Sequence, residues 1–151
     1  MKKKDILIIS KLRSNSRETL TNLSRATKIP VSTIYDRMKN HYGDIIRKHT
    51  VLLDFNKLGF NTRAHILIKV KKEDKELFKE ALIKNSNINS IFKINNGYDY
   101  LIEAVFRNIQ EIENFMEAIE SKFKVLNRQV FYIIDELKRE DFLINPELLN
   151  L

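Results

Sequence analysis

Polar side chains recur at helical spacing in residues 31–40, VSTIYDRMKN, and they could contact base edges in the major groove of DNA. At 100° per residue, one face carries the apolar Val31, Ile34 and Met38. The opposite face carries Ser32, Thr33, Asp36, Lys39 and Asn40, with Tyr35 and Arg37 at its flanks. Asn40 can pair with adenine and Asp36 can accept a hydrogen bond from cytosine N4. The same division would also suit an ordinary surface helix, in which Asp36 pairs with Lys39 or Arg37.

The residues before this helix predict a helix-turn-helix. A helix over Leu20 to Thr27, capped by Thr19, is followed by Lys28-Ile29-Pro30, and the proline favours a new helix start near Val31. Asp5 to Leu12 predicts an earlier helix that completes a small core. A short turn between two such helices is what a recognition helix requires.

Charge is concentrated in this part of the chain. Residues 1–50 contain 12 Lys and Arg against 4 Asp and Glu, a net of +8 in a chain whose total is +7. The apolar stretch from Ile45 to Asp54 predicts a two-stranded wing whose basic turn, Arg47, Lys48 and His49, contacts phosphates. The alternative for that triplet is a solvated turn. The predicted DNA-binding residues are Ser32, Thr33, Tyr35, Asp36, Arg37, Lys39, Asn40, Arg47 and Lys48.

Composition excludes several classes of protein. The chain has no cysteine, which excludes disulfides and thiolate metal sites, and its three glycines cannot build a phosphate-binding loop. The basic N-terminus precedes too short an apolar run for a signal peptide, and no apolar stretch is long enough to span a membrane. We therefore expect a cytoplasmic protein with no cofactor and no metal.

The rest of the chain predicts an α+β domain of order βαββαβ, a ferredoxin-like arrangement. Its strands are predicted over 63–70, 88–94, 98–106 and 125–137, and its helices over 73–85 and 109–123. Asn96-Gly97 between two apolar strands predicts a type I′ turn, because both central residues of that turn need positive φ. The predicted divisions are 1–54 for the winged helix-turn-helix, 55–61 for a linker, 62–141 for the second domain and 142–151 for a tail.

Several segments in this order resemble the Lrp/AsnC family of transcription regulators. They are Asp5 with Ile8, Ile9 and Leu12, NSR at 15–17, STIYDRMK at 32–39, TVLLDFNKLGF at 50–60 and NGYDYLIEAV at 96–105. The resemblance implies a regulator that binds a palindromic operator in double-stranded DNA. It also implies a dimer held largely through the C-terminal domains, often assembled into tetramers or octamers, with a small effector, commonly an amino acid, between protomers.

The effector site implied by the resemblance falls on Asn96, Gly97, Tyr98 and Asp99, with Asp99 placed to hold an α-amino group. Here the family's leading glycine is Asn96 and its following polar residue is Gly97. The alternative is that Asn96-Gly97 is only a turn, with Tyr98 packing and Asp99 bonding backbone. We expect the alternative, and therefore weak or no binding of common amino acids.

Two other functions compete with a regulator. A siroheme-type decarboxylase of the haem pathway resembles the same two-domain architecture, but His41, His49 and His65 show no spacing for a shared ligand. The acidic pairs at 135–136 and 140–141 are expected to be solvated, because adjacent residues of a strand point to opposite faces. A protein-interaction module would leave the positive excess of residues 1–50 unexplained.

Overall fold

The computed structural model describes residues 2–149, which divide into two units. One unit comprises the chain up to residue 52 together with the segment from residue 137 onward, and the other comprises 53–136. The boundaries predicted from sequence stay predictions. They differ from this grouping mainly at the C-terminal end, where residues 137–141 join the helical unit.

Three helices build the first unit: α1 (Lys3–Ser14), α2 (Leu20–Thr27) and α3 (Val31–His41). Helix α2 has the predicted bounds, and the Thr19 hydroxyl accepts the N–H of Asn22 at 3.2 Å as its cap. Lys28 ends α2 in the left-handed region with φ of 58°, a conformation that strains a residue with a side chain. The core beneath the helices consists of Ile8, Leu12, Leu23, Ile29 and Ile34.

The predicted two-stranded wing is wrong. Helix α3 ends at His41, and Gly43 takes the predicted left-handed conformation with φ of 87°. Between residues 45 and 54, all of which the structure describes, a single bridge joins Tyr42 to Ile46, and the chain then continues without strand pairing. Residues 47–54 are exposed and bond no neighbouring strand, so the β-branched and apolar residues between Ile45 and Asp54 do not produce a hairpin.

The C-terminal segment, residues 137–149, packs on α1 within the helical unit. The Ser10 hydroxyl, buried in α1, donates to the carbonyl of Ile144 at 2.8 Å. The Arg13 guanidinium donates to the carbonyls of Glu140 at 2.7 Å and Phe142 at 3.1 Å, and to the Glu140 carboxylate at 3.0 Å. The predicted tail is therefore tied to the first helix by specific bonds.

The second unit has the predicted order βαββαβ. Its elements are β1 (Thr62–Val70), α4 (Lys75–Ile83), β2 (Ile88–Lys93), β3 (Tyr100–Phe106), α5 (Ile109–Lys122) and β4 (Val125–Tyr132). The strands form an antiparallel sheet of order β2-β3-β1-β4. Both helices cover one face of the sheet, where Ile66, Ile68, Phe78, Ile102 and Met116 are fully buried.

Three predicted elements are longer than those observed by two residues or more. Strand β4 ends at Tyr132 rather than Leu137, because its partner β1 begins at Thr62 and the last ladder bond joins Ile133 to Arg63. Strand β3 begins at Tyr100, since residues 95–98 form the loop that the sequence assigned partly to the strand. Helix α4 begins after a 3₁₀ turn at Lys72–Asp74. Within residues 2–149, no helix is long and apolar enough to cross a membrane.

Candidate nucleic-acid interface and hairpin site

The polar face of α3 is open to solvent, and the middle of its inner face is buried. Ile34 is fully buried and Met38 packs partly on the core, as the helical projection predicts. Val31, which the projection places on the same face, is instead 41% exposed at the first position of the helix. The exposed side chains on the outer face are Ser32, Tyr35, Asp36, Lys39 and Asn40, while Thr33 and Arg37 are half-buried. Because a buried inner face anchors the helix, its outer face is free to meet another molecule.

A shallow groove of about 590 Å³ runs along this face of α3. It is lined by Lys2, Asp5, Thr33, Asp36, Arg37, Asn40 and His41. Four of these residues form one stripe along α3, because they are spaced three or four positions apart. They are Thr33, Asp36, Arg37 and Asn40. The groove therefore presents hydrogen-bond donors and acceptors, with both positive and negative charges, in one row. Such a lining suits recognition of a polar ligand better than binding of an apolar one.

Asp5, Arg37 and His41 form a cluster at one edge of the groove, which we call the Asp5 clamp. The carboxylate of Asp5 bonds the guanidinium of Arg37, and its Oδ1 lies 3.1 Å from Nε2 of His41. Its other oxygen accepts the backbone N–H of Lys2 at 3.0 Å and so caps α1. Burial alone would raise the pKa of Asp5, but His41, Arg37 and the Lys2 N–H outweigh it and lower that pKa to about 2.

The clamp changes what the sequence suggested for Arg37. Sequence reasoning paired Arg37 either with phosphate or with Asp36 one residue earlier, whereas in the structure its guanidinium bonds Asp5, 32 residues away in the chain. The side chain of Arg37 is 23% exposed and that of Asp5 is 6% exposed. Asp5 itself was missed as a site residue. The signal available was an acidic residue at the start of a predicted helix, where an acidic side chain is typical of a cap.

The basic residues after α3 lie on an extended segment rather than on a hairpin. Arg47 and Lys48 are exposed, and the ring of His49 stacks on Tyr42 with centroids 5.6 Å apart. Two backbone bonds, from Ile46 to His41 and from Gly43 to Ile46, hold the start of this segment against the end of α3. Arg47 and Lys48 are therefore placed close to the C-terminal end of the predicted recognition helix.

The loop before β3 contains the predicted turn. Asn96 and Gly97 both have positive φ, 62° and 89°, as a type I′ turn requires, and the Ile94 N–H donates to the Asp99 carbonyl. Asn96 and Gly97 are exposed, while Tyr98 and Asp99 are half-buried. The Tyr98 hydroxyl accepts from the Asn127 side-chain amide at 3.2 Å. The turn thus carries two solvent-facing residues and two that contact the sheet.

Asp99 is engaged on both of its carboxylate oxygens. One accepts the backbone N–H of Val70 at 3.1 Å, and the other bonds the ammonium of Lys75 at the start of α4. Burial would raise the pKa of Asp99, but the bonds from Lys75 and Val70 outweigh it, so the pKa lies below its usual range. An incoming α-amino group would have to compete with Lys75, a residue that sequence reasoning missed because nothing local links it to Asp99.

The remaining titratable side chains do not converge on a metal site. Within the described part of the chain, no group of three or more His, Asp or Glu residues is close enough to hold a metal ion. His65 lies half-buried on β1, opposite Phe131 of β4 and Glu103 of β3. Glu136 bonds Arg63, and Asp141 pairs with Lys138, so these acidic residues already have cationic partners.

Comparison with known proteins identifies the family. Residues 63–142 match the Lrp/AsnC ligand binding domain. The HTH-type transcriptional regulator FL11 of Pyrococcus furiosus is 30% identical over 118 residues, which cover 78% of each chain. The crystal structure of the regulator NMB0573 of Neisseria meningitidis, solved as a complex with L-Met, is 25% identical. It superposes with a TM-score of 0.85 over 92% of this chain and 93% of that one.

A second solved structure, LrpC of Bacillus subtilis, has the same fold. It is 23% identical and superposes with a TM-score of 0.84 over 91% of this chain and 97% of its own. The family and these relatives are transcriptional regulators rather than enzymes, which excludes the siroheme-type decarboxylase considered as an alternative.

Proposed function

Because this chain belongs to the Lrp/AsnC family of transcriptional regulators, we propose that it binds a palindromic operator as a dimer, with α3 as the recognition helix of a helix-turn-helix formed by α2 and α3. The observation that carries this proposal is the open polar face of α3 above a buried apolar face, in the part of the chain with a net charge of +8. A positive field over that face attracts phosphates and orients the helix on the duplex.

The residues on α3 divide into two roles. Ser32, Thr33, Asp36 and Asn40 contact base edges, with Asn40 able to pair with adenine and Asp36 able to accept from cytosine. Tyr35 and Lys39 on α3, with Arg47 and Lys48 on the extended segment after it, contact the sugar-phosphate backbone. In place of a wing, that segment brings cations to the end of the recognition helix. The same proposal places the protein in the cytoplasm, together with the DNA.

The outer face of the sheet supports self-association. Phe92, Leu101 and Leu67 stand side by side across β2, β3 and β1, and Phe131 stands beside His65 on the neighbouring strand. Phe92 is 53% exposed and Phe131 is 51% exposed. Such an apolar row on a strand face is typical of an interface, and a second copy of the chain would cover it with the same row. Two paired copies present two recognition helices to two half-sites.

The effector proposal follows from Asp99. The relative from Neisseria meningitidis was crystallised with L-Met. In this chain, the candidate effector site is the loop of Asn96, Gly97, Tyr98 and Asp99. Since Lys75 and the Val70 N–H already occupy both oxygens of Asp99, common amino acids, methionine included, bind this loop weakly or not at all. Any regulation by such an effector would need Lys75 to release Asp99.

DNA selection followed by titration tests the function. Full-length protein is used to enrich duplexes from a random pool, and the affinity for the enriched duplex and for a scrambled duplex is measured by fluorescence anisotropy at several salt concentrations. We expect Asn40→Ala to lose about 1–3 kcal/mol on the enriched duplex and little on the scrambled one. Asn114→Ala, an exposed Asn on α5, is the matched control and should change neither affinity.

Salt dependence separates the phosphate contacts from the base contacts. Each neutralised phosphate contributes about −0.9 to the slope of log K against log salt, so Lys48→Gln should make the slope shallower by about that amount. Lys84→Gln, at the exposed end of α4, should leave the slope unchanged. Binding that is indifferent to salt, or a pool from which no sequence is enriched, would contradict the proposed function.

A further inference from the structure

We propose that the Asp5 clamp sets the rotation of α3 and so determines its sequence discrimination, which makes Asp5 a positioning residue for DNA recognition and removes Arg37 from the phosphate contacts. The inference rests on the proposed DNA-binding function and concerns how that function is made specific. It is carried by the bonds of Asp5 to Arg37 and Lys2, its contact with His41 and the burial of its carboxylate.

The position of the clamp on α3 is the first step. Arg37 and His41 follow Thr33 by one and two helical turns, so they lie along the edge between the polar face and the apolar face. A bond at that edge resists rotation of the helix about its own axis, whereas apolar contacts at Ile34 and Met38 are non-directional. The two kinds of contact together hold the base-reading face at one angle.

The burial of Asp5 is the second step. Its side chain is 6% exposed, and among the described residues Arg37 is the Lys or Arg that lies within bonding distance of its carboxylate, with Nε2 of His41 3.1 Å from Oδ1. If Arg37 turned outward to a phosphate, it would leave a buried carboxylate without its partner, and an unpaired buried charge is strongly unfavourable. Arg37 is therefore retained by Asp5 when DNA binds.

The connection to α1 is the third step. The oxygen of Asp5 that does not bond Arg37 accepts the Lys2 N–H at 3.0 Å, so one carboxylate caps α1 and ties it to α3. The neighbouring charged groups are Lys2, immediately before α1, and Asp36 on α3, which both line the same groove. A binding site needs its side chains held within about 0.5 Å and 10–20° of the productive geometry, and the clamp supplies that restraint at the groove itself.

The test compares variants of the full chain on two probes, a duplex enriched by the wild-type protein from a random pool and a scrambled duplex of the same length and composition. Asp5→Asn keeps the shape of the side chain but replaces one carboxylate oxygen by an amide nitrogen. That nitrogen is a hydrogen-bond donor, and it would face groups that also donate. Arg37→Gln removes the cation and leaves the cap of α1 intact. The controls are Asp44→Asn, the same change at an exposed position of the same unit, and Lys39→Gln, which removes an exposed cation from α3.

We expect Asp5→Asn and Arg37→Gln each to reduce the ratio of specific to non-specific affinity by about tenfold, the low end of what one base contact contributes. The double variant should lose no more than Asp5→Asn alone, because Asp5→Asn already breaks the interaction that Arg37→Gln removes. On the scrambled duplex, Arg37→Gln should leave the salt slope unchanged, whereas Lys39→Gln should make it shallower by about 0.9. Asp44→Asn should leave the ratio unchanged.

Two results would contradict the proposal that the Asp5 clamp positions α3. Arg37→Gln could make the salt slope shallower as Lys39→Gln does, which would assign Arg37 to phosphate. Alternatively, the clamp variants could weaken binding to both duplexes by the same factor, which would assign Asp5 to stability alone. If Asp5→Asn does not fold, Arg37→Gln and His41→Gln decide the question, since both keep the carboxylate that caps α1. Failure to enrich any sequence would overturn the DNA-binding function itself, whereas enrichment without this dependence would overturn only the clamp.

Discussion

Replacing Asp99 by Asn measures how firmly the loop before β3 is held, and hence how available its carboxylate is to a ligand. The Asn side chain can still accept from the Val70 N–H, but it cannot pair with the Lys75 ammonium. The side chain of Asp99 is 15% exposed and that of Lys75 is 39% exposed, so the bond is partly screened by solvent. An exposed ion pair contributes about 0.2–1 kcal/mol to stability, and a hydrogen bond to a charged group contributes about 1.5–3 kcal/mol. For this partly screened pair we expect Asp99→Asn to lower the free energy of unfolding by about 1–2 kcal/mol.

The loss should depend on pH in a defined direction. The pKa of Asp99 is lowered in the folded protein, chiefly by Lys75 and the Val70 N–H against the opposing effect of burial. A lowered carboxyl pKa stabilises the fold fully above the unfolded pKa, near 3.8, and the stabilisation is lost as pH falls through the folded pKa. The difference in unfolding free energy between wild type and Asp99→Asn should therefore be largest at neutral pH and shrink in acid.

Urea unfolding followed by circular dichroism at several pH values between neutral and about 3, which is below the pKa of a free Asp side chain, checks both statements. Asp54→Asn is the control, because Asp54 is exposed and pairs only loosely with Lys57 at 3.5 Å. A variant as stable as wild type at neutral pH would refute the pairing of Asp99 with Lys75. A difference that stays constant with pH would show that the carboxylate charge does not stabilise the fold.

The remaining predictions concern the effector, the sheet face and the C-terminal segment. In a thermal-shift screen of the common amino acids, we expect no rise in melting temperature near the 5–10 °C that about 2.7 kcal/mol would produce at 100 times the dissociation constant; such a rise, abolished by Asp99→Ala, would contradict our account. Phe131→Glu should shift the protein to monomer in sedimentation, whereas Phe142→Glu, equally aromatic and 72% exposed, should not; an unchanged dimer would exclude the sheet face as the interface. Ser10→Ala should reduce the unfolding free energy by about 1 kcal/mol by removing the bond to Ile144 and should expose the C-terminal segment to proteolysis, while Ser14→Ala at the exposed end of α1 should do neither.

The bounds of α2, the start of α3 and the turn could be predicted because their causes are local. Thr19 caps α2 through an N–H three residues on, and Pro30 places the start of α3 at Val31. Asn96-Gly97 takes positive φ at both positions, a preference that belongs to those two residue types. The alternation of apolar residues in turn predicted the order βαββαβ, since each strand buries the face that its own pattern defines.

Tertiary structure alone decided where the charged side chains of the candidate sites point. Asp5 bonds Arg37 across 32 residues, and Asp99 bonds Lys75 across 24, so no pattern of near neighbours predicts either pair. The prediction of a wing was wrong for the same reason. The β-branched and apolar residues between Ile45 and Asp54 suit strands, but the fold provides them no partner strand within the described residues. Strand β4 stops where β1 begins, and Ser10 and Arg13 hold a segment more than 120 residues away. Helices and turns close their hydrogen bonds within a few residues, whereas ion pairs and sheet edges depend on the whole fold.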